Sequence, residues 1–266
     1  MERLSQERIL VELSAEARAL LGEFLIFNEI DSTNAYLLAE AERGLAGGSV
    51  CMAEMQTAGR GRRGRAWQSP PVANLYLSLL WRFACEPARL TALSLATGTA
   101  VGRALHRLGA VEVRLKWPND LIWRGRKLGG ILLESRGDPT GPCFVVAGIG
   151  LNIAMPAASA AAIDQPWSDL QTVLAPALVS RNHAAAQVLN ELLPAFARFA
   201  TLGWPAFAGD WRRFDWIAGQ RVTVKLPQGD VHGTARGVDE HGALLLETAS
   251  GLRAFAAGEI SVRLGA

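Results

Sequence analysis

Lysine is nearly missing from this chain. Only Lys116, Lys127 and Lys225 occur among 266 residues, against 24 arginines. A compositional drift toward Arg and Ala accounts for surface positions, and it makes each remaining lysine worth placing. Cysteine is scarce too. Cys51, Cys85 and Cys143 are odd in number and lack CxxC spacing, which argues against a disulfide framework or zinc site and implies a reducing, cytoplasmic setting. The four histidines, His106, His183, His232 and His241, have no metal-ligand spacing. No run approaches the roughly 18 consecutive apolar residues of a membrane span, and the charged start Met1-Glu2-Arg3 is not that of a signal peptide. A formal charge of +2 offers no overall pull toward nucleic acid.

What the chain does have is 50% apolar residues, enough for one sizeable core and a small appended module. Leu4, Ile9, Leu10, Leu13, Ala17, Leu20 and Leu21 recur at helical spacing and stop at Gly22, which predicts one short helix. Phe24-Leu25-Ile26-Phe27 reads as a strand. Asp31-Ser32-Thr33-Asn34 then supplies side-chain oxygens that cap free amide hydrogens, so a helix is expected from Ala35 to Arg43. Ser49 to Glu54 reads as a strand, Leu75 to Trp81 as a strand buried on both faces, and Pro87 to Leu108 as a core helix. Val111, Val113, Leu115 and Trp117 alternate with Glu112, Arg114 and Lys116, the period of a half-buried strand. Strands are expected at Gly130 to Glu134 and Phe144 to Ile149, a loop at the Ala-rich 157–162, and helices at 181–201, interrupted at Pro194, and 205–214. Strands and helices mix without a βαβ rhythm, so the fold class is α+β. Beyond Gly219, short strands at 220–226, 230–237, 242–248, 252–256 and 260–264 alternate with turn clusters, the pattern of a small barrel. The chain thus divides into 1–218, with a helix in 1–22, and 219–266.

The most informative segment is Gly59-Arg60-Gly61-Arg62-Arg63-Gly64-Arg65-Ala66-Trp67. It satisfies GxGxxG in form, but a dinucleotide fingerprint needs its last glycine to open a helix, and no helix start follows. No Gly-Lys-Ser/Thr is present for a P-loop. What remains is a flexible loop with three glycines and four guanidinium forks: a clamp for carboxylate or phosphate, a solvated basic loop, or a nucleic-acid patch. Ordering it costs roughly 7–14 kcal/mol at ~1–2 per residue, and four charge-assisted contacts return roughly 6–12. The loop is therefore expected to be mobile when empty and ordered by an anionic ligand. Lys116 stands at a strand end before Pro118, and Gly129-Gly130 and Gly148-Ile149-Gly150 set glycines beside strands, where a ligand or another backbone approaches closely.

Taken in order, Asp31-Ser32-Thr33-Asn34, the Gln56 to Trp67 segment, Ala73-Asn74-Leu75-Tyr76, Lys116-Trp117-Pro118-Asn119-Asp120, Lys127 to Glu134 and Gly148 to Ile153 closely resemble bacterial biotin protein ligases, over residues 24–266. The combined motifs are highly specific. The resemblance implies a mixed-sheet catalytic domain of the biotin/lipoate ligase type with a C-terminal SH3-like barrel. It also implies a two-step reaction: ATP and biotin give biotinyl-5′-AMP and pyrophosphate, with Mg²⁺ on the phosphates, and biotin then passes to one lysine of the biotin carboxyl carrier domain of acetyl-CoA carboxylase.

By the same resemblance, Lys116 bridges the biotin carboxylate and the α-phosphate. Ser32, Thr33, Asn34 and Gln56 surround the biotin head, with Gly129 and Gly130 in the biotin site as well. Arg60, Gly61 and Arg62 belong to the ligand-ordered loop, and Arg65 and Trp67 close over the adenylate. Asn119, Asn152 and Trp167 contact the nucleotide, Trp167 on loop alignment alone. No metal-ligating residue follows. Asp120 is a candidate, by position, to assist the carrier amine, which is protonated near neutrality at a pKa of ~10.4. A homodimer pairing sheet edges carries over from the family. The stretch before Phe24 is too short for the winged helix-turn-helix that some relatives carry, so repression and DNA binding are not expected. A lipoate ligase shares the architecture, but the Gly/Arg loop points to biotin. A nucleic-acid-binding module using that loop is the alternative from another class, weakened by basic charge confined to one segment without interleaved aromatics.

Overall fold

The structure is a computed structural model in which residues 2–160, 163–226, 229–257 and 261–264 are described. Two short helices, α1 (Gln6–Val11) and α2 (Ala15–Leu20), replace the single N-terminal helix expected. Each begins on a serine cap, Ser5 Oγ accepting from Arg8 N–H and Ser14 Oγ from Ala17 N–H. The break is held from outside: Asn190 Oδ1 accepts from Ser14 N–H and Asn190 Nδ2 donates to the Glu12 carbonyl. Asn182 makes the same reciprocal pair with Ser5 N–H and the Arg3 carbonyl.

β1 (Phe24–Phe27) leads into α3 (Thr33–Glu42), whose cap Ser32 accepts from Ala35 N–H. β2 (Val50–Ala53) and β3 (Leu75–Phe83) flank the Gly/Arg loop, which holds a single 3-10 turn at Arg62–Gly64. Pro87–Leu90 forms its own 3-10 turn, so α4 (Leu93–Arg107) starts later than expected. The strand predicted from Val111 shrinks to β4 (Arg114–Lys116), and Val111 itself is 60% exposed. β5 (Asp120–Trp123), not anticipated, forms a hairpin with β6 (Arg126–Gly137), and β7 (Cys143–Leu151) returns beside it. The expected Ala-rich loop holds α5 (Ala157–Ala160), while Ala161 and Ala162 lie outside the described residues. α6 (Leu170–Leu174) precedes α7 (Arg181–Leu202), which runs unbroken through Pro194, and α8 (Pro205–Phe214) follows. Burial of Leu189, Leu192, Leu193 and Phe196 outweighs the ~3 kcal/mol that a mid-helix proline costs.

β1 to β7 form one mixed sheet in the order β1-β2-β3-β7-β6-β5-β4, with only β1 and β2 parallel. Side-chain alternation splits its central strands between two layers. Val50, Met52, Leu75, Leu77 and Leu79 pack with α4 and α7, whereas Cys51, Leu80 and Val146 pack with Leu37, Leu38 and Ala41 of α3. A second, antiparallel sheet contains β8 (Arg221–Leu226), β9 (Gly229–Val238), β10 (Leu244–Thr248), β11 (Gly251–Phe255) and β12 (Ser261–Leu264), in the order β11-β10-β9-β8-β12. Its Asp239–Gly242 turn docks on two buried indoles: Trp117 Nε1 donates to the Gly242 carbonyl at 3.0 Å and Trp204 Nε1 to the Asp239 carbonyl at 3.3 Å. The outer edge of β4 is covered, because Trp216 N–H donates to the Leu115 carbonyl.

Candidate active site

The start of α3, the Gly/Arg loop and the facing strands β6 and β7 enclose a cleft of about 1140 Å³, its open mouth included. Pocket geometry brings together Ser32, Thr33, Asn34, Gln56, Arg60, Gly61, Arg62, Arg65, Trp67, Asn119, Gly130, Asn152 and Trp167 from distant parts of the sequence. Lys116 and Gly129 do not line it, and Lys127 does.

One end of the cleft is built by the β1–α3 connection. A bridge between Ile30 and Gln56 prolongs the parallel β1–β2 ladder, so Gln56 arrives beside the helix start and its Oε1 accepts from Thr33 N–H at 3.0 Å. Asn34 Nδ2 donates to Glu134 Oε2 at 2.8 Å, and Asn34 Oδ1 accepts from Ser78 at 2.6 Å. The approach of Asn34 to β7 requires Gly148, since a Cβ there would lie 2.3 Å from Asn34 Oδ1.

The Gly/Arg loop folds back on itself. Arg60 and Ala66 bridge, Gly61 N–H donates to the Arg65 carbonyl at 2.7 Å, and Arg63 turns the tip at φ 60°. Its arginines point to different partners: Arg60 meets Glu134 at 3.2 Å, while Arg62 donates to Asn119 Oδ1 at 3.3 Å and to the Ala257 carbonyl of the barrel. Burial lowers the Arg62 pKa, opposed by nearby Asp120. Trp67 packs on β7, where a Cβ at Gly150 would stand 2.5 Å from its Cε2. Gly150 is therefore a seat for the indole. Gly129, by contrast, lets strands approach: a Cβ there would meet the Gly150 carbonyl at 2.7 Å and Leu121 at 2.8 Å.

The lysine at the cleft wall is Lys127, whereas Lys116, expected to bridge the ligands, does not line the cleft. In cross-strand register Lys116, Asp120, Gly130, Gly150 and Tyr76 share one row and hence one face of the sheet. Lys116 is at the outer end of that row, about 9–10 Å from Gly130 by strand spacing. Burial lowers its ammonium pKa, with Asp120 opposing and Arg263, Lys127 and Arg65 adding to the drop. Strict alternation would place Lys127 on the opposite face from Gly130. A bulge between Leu121 and Ile122 shifts the register, so that Lys127 pairs with Ile122 and joins the face of Asp120. Its Nζ lies 2.6 Å from Asp120 Oδ1 and 5.7 Å from the Trp67 ring centre. Asp120 is thus committed to Lys127.

The backbone around Lys127 also fixes Trp167 and Asn152. Lys127 N–H donates to Pro166, Ser168 N–H donates to Lys127, and Lys127 and Trp167 pair as a parallel bridge, which sets Trp167 at the cleft. Asn152 N–H donates to Leu128 and its Nδ2 to the Ser168 carbonyl, leaving buried Asn152 Oδ1 without a partner among the described residues. No three His, Cys, Asp or Glu side chains converge among the described residues. Sequence reasoning missed Lys127, Glu134 and Ser78 as site elements. The signal for Lys127 was the rarity of lysine, and for Ser78 a lone hydroxyl inside the apolar run Leu75 to Trp81.

Residues 26–152 match the Biotin/lipoate A/B protein ligase family and residues 217–263 the biotin protein ligase C terminal domain, which defines the class as a biotin or lipoate protein ligase. The bifunctional ligase/repressor BirA of Escherichia coli strain K12 is 40% identical over 242 residues, covering 91% of this chain and 74% of that protein. The biotin–[acetyl-CoA-carboxylase] ligase of Paracoccus denitrificans is 34% identical over 244 residues, covering 86% of this chain and 96% of that protein. A solved biotin protein ligase from Aquifex aeolicus, in complex with biotin and ATP, aligns with a TM-score of 0.77 at 27% identity over 91% of this chain and 99% of that one. The chain belongs to the biotin protein ligase family.

Proposed function

We infer that the cleft joins biotin to ATP and then to a carrier lysine, with Lys127 as the cation at the meeting point. In the first step a biotin carboxylate oxygen bonds to the α-phosphorus and pyrophosphate leaves. In the second the carrier amine attacks the acyl carbon, AMP leaves and one proton is released. Two anions must meet in the first step, so preorganised positive charge lowers the barrier. The observation that carries this reading is the Lys127–Asp120 pair at 2.6 Å on the wall shared by the head-group residues and by Asn119, Asn152 and Trp167. Asp120 aims the ammonium, and the Trp67 ring lies 5.7 Å from it.

Ser32, Thr33, Asn34 and Gln56 are assigned to the biotin head. Arg60 and Arg62 are assigned to the junction, and Arg65, Trp67, Asn119, Asn152 and Trp167 to the nucleotide. ATP enters as its magnesium complex. The described residues offer the ion no cage of their own, which suits a metal that keeps its waters and rides on phosphates, and of the lining residues only Asp164 adds a carboxylate. Residues 1–218 then form the ligase unit and 219–266 the barrel. The acceptor is the biotin carboxyl carrier domain of a carboxylase, in the cytoplasm. Since β4 is covered, β1 is the edge on which two copies would pair.

The test is exchange of pyrophosphate into ATP with biotin, with lipoate, or with neither acid. Exchange stimulated by biotin alone is expected; stimulation by lipoate alone, or none, overturns the reading.

A further inference from the structure

Arg181 is the first residue of α7 and is wholly buried, yet its guanidinium reaches three stretches of chain that are far apart in sequence. Nη1 donates to Glu54 Oε2 at 2.6 Å and to the Glu2 carbonyl at 3.1 Å, while Nε and Nη2 both donate to the Asn74 carbonyl, at 3.1 and 2.8 Å. The other Glu54 oxygen accepts from Leu4 N–H at 2.6 Å. Glu54 and Asn74 are the two stems of the Gly/Arg loop, the first directly after β2 and the second directly before β3. A backbone bond ties the stems as well, Val72 N–H donating to the Glu54 carbonyl at 3.1 Å. None of Arg181, Glu54 and Asn74 lines the cleft.

Each stem leads to a different part of the cleft. Gln56, on the cleft wall, lies two residues beyond Glu54. From the other stem, Asn74 Oδ1 accepts from Ile153 N–H at 2.9 Å and Asn74 Nδ2 faces Met155 Sδ at 3.7 Å, so it seats the chain that carries the cleft residues Asn152 and Met155. Between the stems Val72 holds φ 55°, a left-handed conformation that a β-branched side chain disfavours. Such strain persists only where the surrounding structure over-determines it. The bond from Val72 to Glu54 and the hold of Arg181 on Asn74, two residues on, supply that constraint.

Burial energy does not account for the ion pair, since apolar side chains of similar volume often hold an interior as well or better. What only a planar guanidinium supplies is a set of fixed directions, here to one carboxylate and two carbonyls on separate segments. We propose that Arg181 and Glu54 are positioning residues for adenylate formation: the pair sets the spacing of the two loop stems and the seat of the β7 end, and the segment from Glu2 to Leu4 completes the clamp. The inference rests on the biotin reading and deepens it. A misplacement of about 1 Å, even from a change far from the chemistry, can cost on the order of 10² in rate. Because one stem serves Gln56 and the other Asn152, loosening the clamp affects both substrates at once.

The test separates position from stability. In biotin-dependent pyrophosphate exchange, Arg181→Met combined with Glu54→Gln is expected to lose about 10² in kcat/KM for biotin and for ATP alike. Its melting temperature should recover relative to Arg181→Met alone, because the stranded carboxylate is gone, with no matching recovery of exchange. Exchange that recovers in step with melting temperature overturns the proposal and leaves the pair a structural one, as does a loss confined to one substrate. Arg181→Lys keeps the test decisive if the methionine variants fail to fold. It retains a cation beside Glu54 without the fork, and should lose at least about tenfold in kcat/KM for both substrates. Wild-type kinetics in folded Arg181→Lys overturn the proposal. Absence of biotin-dependent exchange in the wild type refutes the underlying reading instead.

Discussion

Lys127 and Asp120 meet at 2.6 Å across the β5–β6 hairpin only because the bulge at Leu121/Ile122 turns Lys127 onto the Asp120 face. The pair makes a sharp kinetic prediction. Lys127→Ala should lower biotin-dependent pyrophosphate exchange by about 10²–10³, the scale for removing one preorganised charge. Lys116→Ala, at the far end of the row, should lose less; a loss equal to or larger than that of Lys127→Ala would return the bridging role to Lys116.

Gly150 is the seat of Trp67. Gly150→Ala puts a methyl 2.5 Å from the indole and should destabilise the fold by about 1–3 kcal/mol while raising the KM for ATP. Trp67→Phe in the same background should restore part of the melting temperature, since the smaller ring relieves the contact.

Arg181 is 0% exposed, donates to Glu54 at 2.6 Å and gives two more hydrogen bonds to the Asn74 carbonyl. Arg181→Met strands the Glu54 carboxylate in the interior and should cost about 3–5 kcal/mol in urea unfolding. Adding Glu54→Gln should recover part of it, because the buried charge is then gone.

Burial raises the Asp215 carboxyl pKa, opposed by backbone N–H groups of Ile217 and Ala218. The folded state thus holds this proton to higher pH than the unfolded chain. Its stabilising effect is complete below the unfolded carboxylate pKa and disappears as pH climbs through the raised folded value. Asp215→Asn should therefore match the wild type in acid and exceed it in melting temperature at neutral pH.

The loop tip is the natural protease site, with Arg63 exposed at φ 60°. Biotin with ATP should slow tryptic cleavage there by at least about tenfold, following the population of the open loop. Equal rates with and without ligands would count against ligand-driven ordering.

Local chemistry in the sequence was legible wherever a single element decided it. The Ser32 cap, the doubly buried β3 and the five barrel strands follow from side-chain oxygens and alternation. The Gly/Arg loop stood out because four guanidinium groups have no local reason to crowd together. Tertiary effects were not legible. Asn190 splits the N-terminal helix by taking Ser14 N–H from 176 residues away, and packing carries α7 through Pro194. Lys127 was hidden by a one-residue register shift, which strict alternation cannot represent. Glu134 and Ser78 both meet Asn34, a relation that exists only once three separate segments have been assembled.

Arg62 reaches two bodies at once, Asn119 on the ligase sheet and the Ala257 carbonyl on the barrel. Such a side chain makes loop order and barrel seating two readings of one equilibrium. Whatever free energy a closed loop lends to the docked barrel, the docked barrel returns to the closed loop in equal measure. Barrel seating is thereby linked to loop closure, although no described barrel residue lines the cleft.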